Sequence, residues 1–304
     1  QQVADRPFML SEWIHVTPNE WGVEGPALIG AYGMGLQGWD VSYMFQNRDS
    51  GQLSRRIADQ RWDVAAPNVM GVFPAVARQV LRGDVEESEV LATRYVHVPS
   101  LHDGKLGFDD KVTHEHDVKT FDSVKVPALA LAAARTVVRF TDRYRETPVF
   151  DLDPYMEDRT FVSSTGELRW TRGQSRHDGF FTIDTAATKA AVGFAEGETC
   201  TLGEVTIEPQ SRFGAIYLTA QDPEGTIAAG DDLLVVAIAR ARNTGMKVVM
   251  DNRLLSKGNP PVVMEPVKAD IAIDRKGTPT VYCLDHDGCL TDTTIPVRNG
   301  RFTI

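Results

Sequence analysis

The sequence is short of cysteine, of basic charge and of long apolar runs, and each shortage closes off a class of protein. Cysteine stands at three of 304 positions, Cys200, Cys283 and Cys289. That odd, widely spaced set matches neither a zinc-ligand spacing nor a disulfide framework. Cys283 and Cys289 are close enough in sequence to pair across a hairpin, and free buried thiols fit the spacing equally well. Acidic residues outnumber basic ones, 42 to 32, for a formal charge of −10. No basic stripe is therefore available to neutralise phosphates, and nucleic acid is not an expected partner. No run approaches the roughly 20 apolar residues that a membrane helix needs, so no membrane partner is expected. Repeats at a fixed period and low-complexity tracts are missing too. The opening QQVADRPF has neither a charged-then-apolar signal profile nor an initiator methionine. The expectation is a chain processed, cleaved or excerpted from something longer. Its compartment stays open, with a secreted or periplasmic one favoured.

What is present is a globular composition, 42% hydrophobic and 24% charged, over a length that suggests two cores. Phe8-Met9-Leu10 is a continuous apolar run of the kind found in a strand buried on both faces. It ends in Ser11-Glu12-Trp13. Apolar residues at Leu28, Ile29, Tyr32 and Leu36 then recur at helical spacing over 27–37, with Pro26 suited to the first turn. Gly30, Gly33 and Gly35 each weaken that helix by about 1 kcal/mol, so close packing should compensate. Trp39 to Phe45 reads as a second strand, and Val69 to Leu81 as a second helix, closed by Gly83. Strand, helix, strand, helix is the signature of a parallel sheet. Further along, Val126 to Phe140 is Ala-rich and predicts a helix. From His177 onward, short β-prone stretches alternate with turn signals such as Asn243-Thr244-Gly245, Asp287-Gly288 and Asn299-Gly300. The expected organisation is 1–90 as parallel βα units, 91–176 as a connecting region, and 177–304 as an antiparallel, β-sandwich-like domain.

Ser11-Glu12-Trp13 is the strongest chemical feature, because active sites of (β/α)₈ barrels sit at the C-terminal ends of strands. The next strand ends in Tyr43, Phe45 and Gln46. Aromatic rings stack on the apolar faces of sugars, while carboxylates and amides bond to hydroxyls. His15 and Asn19 are within reach of a substrate, or bond loop backbone instead. Phe45 divides evenly between core and sugar subsite, and Trp13 and Trp21 are similarly ambiguous. Trp39 is read as core, and Asp40 as a strand-entrance cap or an ion-pair partner. His114-Glu115-His116-Asp117 lacks the helical H-E-x-x-H spacing and any further ligand cluster, so a solvated loop is preferred and no metal is expected. Neither a phosphate-cradling glycine loop nor a hydrolytic triad stands out, and no cofactor is implied.

The segment RPFMLSEWIHVTPNEWGVEGPALIGAYGMGLQGWDVSYMF resembles the seventh and eighth strands of clan A retaining glycoside hydrolases. GFFTIDTAATKAAVGF resembles the β-rich C-terminal domain of some such enzymes. The resemblance implies the last two βα units of a (β/α)₈ TIM barrel, with Glu12 as nucleophile and a β-linked poly- or oligosaccharide as substrate. Trp13, His15, Asn19, Phe45 and Gln46 are then the candidate substrate contacts. The sequence departs from the pattern where a tryptophan commonly ends the eighth strand: Phe45 and Gln46 stand there, and Trp39 lies at the opposite end. A retaining glycosidase also needs a second carboxyl about 5–5.5 Å from the nucleophile. In clan A that acid/base follows an asparagine on strand four, which no segment here supplies; Asn19-Glu20 follows Glu12 too closely. The N-terminal barrel portion is thus the expected partner, as a separate chain or an upstream segment. The competing expectation is a non-catalytic carbohydrate-binding or assembly subunit, in which Glu12 is incidental.

Overall fold

The computed structural model describes residues 1–13, 21–22, 24–45, 55–57, 64–105, 111–115, 118–175, 177–249 and 253–304. Its first part is a small parallel assembly. β1 (Gln2–Val3) is followed by β2 (Met9–Trp13), then by α1 (Glu24–Leu28), which runs on as a π-helix over Ile29–Leu36. β3 (Val41–Met44) returns parallel to β2. α2 (Pro67–Met70) and α3 (Phe73–Arg82) follow where one helix was expected. The break falls at Gly71-Val72, and Pro74, which lacks an amide hydrogen, opens the second helix. Gly83 closes it in the left-handed conformation, as its position suggested. The three glycines of the π-helix meet close neighbours. A methyl group on Gly33 would stand 2.6 Å from the Trp39 ring, and one on Gly30 would stand 2.7 Å from Val76.

Two expectations for this part need correction. β2 is not buried on both faces: Met9 is 54% exposed, because only β3 flanks it and no further strand does so among the described residues. Nor is Val126 to Phe140 a helix. A single turn, α5 (Ala130–Ala133), gives way to β7 (Arg135–Thr141). β7 pairs in parallel with both β1 and β4 (Val90–His97). The β-branched Thr136-Val137-Val138 resist helix continuation, and Gln37 fixes the switch. Its Nε2 donates to the carbonyls of Leu131 (2.9 Å) and Ala134 (2.6 Å), and its Oε1 accepts from the Thr136 amide (3.0 Å). Gln37 is 1% exposed. Gln37→Leu is expected to strand three buried backbone groups and cost about 3 kcal/mol, read as a shifted urea midpoint with unchanged slope.

The rest is β-rich and antiparallel. α4 (Val98–His102) and a hairpin of β5 (Lys111–Glu115) with β6 (Val118–Asp122) lie between β4 and β7. Then come β8 (Met156–Glu157), β9 (Thr160–Val162), β10 (Leu168–Arg172), β11 (Gly179–Asp184), β12 (Thr188–Phe194), β13 (Cys200–Leu202), β14 (Val205–Pro209), β15 (Gly214–Ala220) and β16 (Leu233–Ile238). β17 (Ala241–Thr244), β18 (Lys247–Val249), β19 (Arg253–Ser256) and β20 (Asn259–Met264) form two paired ribbons. β21 (Ala269–Ile273), β22 (Val281–Leu284), β23 (Leu290–Ile295) and β24 (Arg301–Thr303) end the chain. A seven-stranded sheet has the order β16-β15-β12-β11-β10-β9-β8, and a four-stranded one β13-β14-β21-β24. The larger sheet thus starts at Met156, inside the segment read as a connection.

Alternation along the central strands builds two cores, one on each face of this sheet. Ala190 and Val192 of β12, with Ala215 and Tyr217 of β15, meet Ala31, Tyr32, Val72 and Val76 from the helices. Ala191, Ile216 and Leu218 instead meet Val205, Ile207, Ile271 and Phe302 of the four-stranded sheet. The result is three layers: helices, large sheet, small sheet. A charged lock joins the first two. Arg82 Nη2 and Nε donate to Asp84 at 2.7 and 2.5 Å, and Arg82 Nη1 to the Ala220 carbonyl at 2.6 Å. Thr188 donates to Asp84 at 2.6 Å. The β22–β23 hairpin forms as the spacing allowed, yet Cys283 and Cys289 are free, and so is buried Cys200.

Candidate active site

The site begins with how β2 and β3 are held together. At their N-terminal end, Asp40 accepts from the Phe8 amide at 2.8 Å, which is the strand-entrance cap. Half-buried Trp39 packs on Phe8 with ring centroids 5.0 Å apart, at the end of the strand pair remote from Glu12. Pairing then runs Met9 to Val41, Leu10 to Ser42, and Trp13 to Met44. Two residues, Ser11 and Glu12, therefore face one, Tyr43: a bulge. Bulges re-aim side chains and gather beside functional sites. Glu12 is exposed and makes no hydrogen bond or ion pair among the described residues. Tyr43, opposite it, is 57% exposed. Trp13 donates from Nε1 to Ser42 Oγ at 2.6 Å, and its carbonyl accepts from the Phe45 amide at 2.9 Å. The parallel direction brings Glu12, Trp13, Tyr43 and Phe45 to one end of the pair. His15, Asn19 and Gln46 lie outside the described residues.

A second feature adjoins these strands. A cleft of about 480 Å³ opens between them and the helices, lined by Trp13, Ile29, Met34, Met44, Phe73 and Leu81 among others. Glu12 is not part of its lining. Walls of this kind offer sugar hydroxyls few partners and suit packing against another apolar surface. Trp21 is settled on the core side. It is 8% exposed, with the rings of His177, Phe194 and Phe213 within 5.4 Å, 5.0 Å and 5.0 Å.

The antiparallel region reaches back to this end of the molecule. Ile57, Ala66, Val69 and Met44 pack with Ala241, Met246, Val248 and Val262 of the two ribbons. Asn243 clamps the contact. Its Oδ1 accepts from the Ile57 amide at 2.9 Å, and its Nδ2 donates to the carbonyls of Ile57 and Lys257, each at 2.7 Å. Asn243-Thr244-Gly245 reads in sequence only as a turn signal. Nothing local announces a partner 186 positions away. Asn243→Ala is expected to lower stability by about 2 kcal/mol and to speed amide exchange at Ile57.

Burial keeps several other polar side chains from chemistry. Tyr32 and Tyr217 carry hydroxyls without partners, and burial pushes both far above the usual phenol range, so neither ionises. Burial, helped by Glu198, pushes the Cys200 thiol up to about 11, which suits packing rather than nucleophilic attack. His114 and Glu115 fall in β5, whereas His116 and Asp117 lie outside the described residues. Among the described residues no group of three or more His, Cys, Asp or Glu side chains is arranged to hold a metal. Comparison with known protein families, with characterised proteins and with solved structures gave no match.

Proposed function

We infer that this chain is the C-terminal part of a retaining glycoside hydrolase acting on a β-linked poly- or oligosaccharide. β2 and β3, with their helices, are the last two βα units of a (β/α)₈ barrel. The observation that carries this reading is the bulge at Ser11 and Glu12. It presents an unengaged carboxylate at the C-terminal end of a parallel strand, beside Tyr43 and Trp13. Glu12 attacks the anomeric carbon, and the bond to the leaving oxygen breaks as an acid outside this chain protonates that oxygen. Water, deprotonated by the same external group, then displaces Glu12, and configuration at the anomeric carbon is retained. Trp13 and Phe45 flank the sugar; His15, Asn19 and Gln46 supply polar contacts.

The 304 residues alone are expected to hydrolyse nothing. Combined with the polypeptide that completes the barrel, they are expected to release product whose first-formed anomer, followed by proton NMR, matches the substrate. First-formed product of opposite configuration would remove the nucleophilic role of Glu12. The apolar cleft favours one further reading, a non-catalytic assembly subunit. In that case hydrolysis by the completed particle would be indifferent to Glu12.

A further inference from the structure

The hairpin of β22 and β23 departs from the alternation seen elsewhere in the antiparallel region. A hairpin laid on a core normally turns apolar side chains inward and polar ones outward. Val281 and Ile295 do pack inward, against the core between the sheets. The other positions of β22, however, carry Tyr282 and Leu284, which are 51% and 42% exposed. Leu290 pairs with Leu284 across the hairpin and is 73% exposed. Paired residues share a face, so a ring and two branched chains form one outward apolar shelf.

That shelf is one wall of a cleft of about 560 Å³, a size within the range typical of ligand sites, about 300–1,000 Å³. Asp231 and Asp232, from the loop joining β15 to β16, and Lys276, from the loop ahead of β22, also line it. None of these three side chains is engaged in a hydrogen bond or ion pair among the described residues. The loop bearing the carboxylates is braced from below. Arg275 Nη1 donates to the carbonyls of Ile227 at 3.0 Å and Gly230 at 2.7 Å. Two carboxylates balance one ammonium and one guanidinium, so the lining selects no net charge. The same lining holds an apolar shelf for a flat C–H face and donors and acceptors for hydroxyls.

We propose that this cleft is a binding site for a neutral oligosaccharide, with Tyr282 as its stacking platform. The site stands apart from Glu12 and does not depend on its chemistry. Titration calorimetry of the 304-residue chain tests it. The probes are the β-1,4-linked pentasaccharides of glucose, xylose, mannose and galactose, and a pentagalacturonate as the charged control. At least one neutral pentasaccharide is expected to bind, and more tightly than the uronate. Tyr282→Ala and Leu290→Asp are each expected to weaken that binding about tenfold or more. Both positions are exposed, and unchanged melting curves would establish that the variants fold. The assignment is overturned if no neutral probe binds or the uronate binds best. It is equally overturned by binding that survives both hairpin substitutions, or by hairpin variants that dissolve a dimer of the chain without any sugar having bound.

Discussion

Glu12→Gln in the completed enzyme is expected to lower kcat by on the order of 10⁴-fold or more, the scale on which a nucleophile is lost. The amide keeps the shape of the carboxylate but cannot form the glycosyl ester, so the first step fails whatever the leaving group. Stability should hardly change. Glu12 is exposed and holds no partner among the described residues, and substitutions at such positions stay within about 0.5 kcal/mol. That split separates a catalytic Glu12 from one that only caps the turn after β2. A carboxylate that merely caps a turn would give the reverse, a measurable loss in urea titration and near-parental turnover. Steady-state kinetics and denaturation on the same preparation therefore decide between them.

Asp84→Ala is expected to destabilise the chain by about 3–5 kcal/mol, the largest effect on folding foreseen for a single side chain. The Asp84 side chain is 1% exposed and that of Arg82 12%. Removing the carboxylate leaves the guanidinium buried beside Thr188, Thr219 and the Ala220 carbonyl, without its counter-charge. The loss reflects that orphaned cation more than the worth of the pair. The double change Arg82→Met with Asp84→Leu is accordingly expected to recover a large part of it. Because the lock ties α3 to β12 and β15, the helical layer should loosen first. Amide exchange in α3 would rise ahead of exchange in β21. Equal loss in the single and double variants would mean that packing, not charge, holds the layers together.

Much of the local structure was legible in the sequence, and the failures have identifiable causes. The run from Met9, the pattern around Pro26 and Leu36, and the hairpins marked by Asp287-Gly288 or Asn299-Gly300 all carry short-range signals. Gly83 acts through its own backbone and is equally readable, whereas the single helix expected over Val69 to Leu81 overlooks the break ahead of Pro74. Val126 to Phe140 misled because alanine favours helix in isolation, whereas Gln37, almost a hundred residues earlier, decides where the helix stops. β12 carries no periodic signal of its own. Its Ala190-Ala191-Val192-Gly193 shows no alternation, because helices cover one face and a second sheet the other. The candidate site divides in the same way. Glu12, Trp13 and Phe45 follow from strand ends, and the bulge that singles out Glu12 exists only in the register with β3. Asn243 and the Arg82–Asp84 lock depend on contacts between distant segments, which no periodicity encodes.

The most direct test is to catch the covalent intermediate. The completed enzyme would be treated with the 2-deoxy-2-fluoro glycoside of the sugar it cleaves, carrying a reactive leaving group, then digested and mapped by mass spectrometry. One glycosyl unit is expected on the peptide containing Glu12, esterified at that side chain and absent from the Glu12→Gln protein. A glycosyl ester on any other carboxylate, or turnover through inversion with no ester formed, would contradict the role given to Glu12.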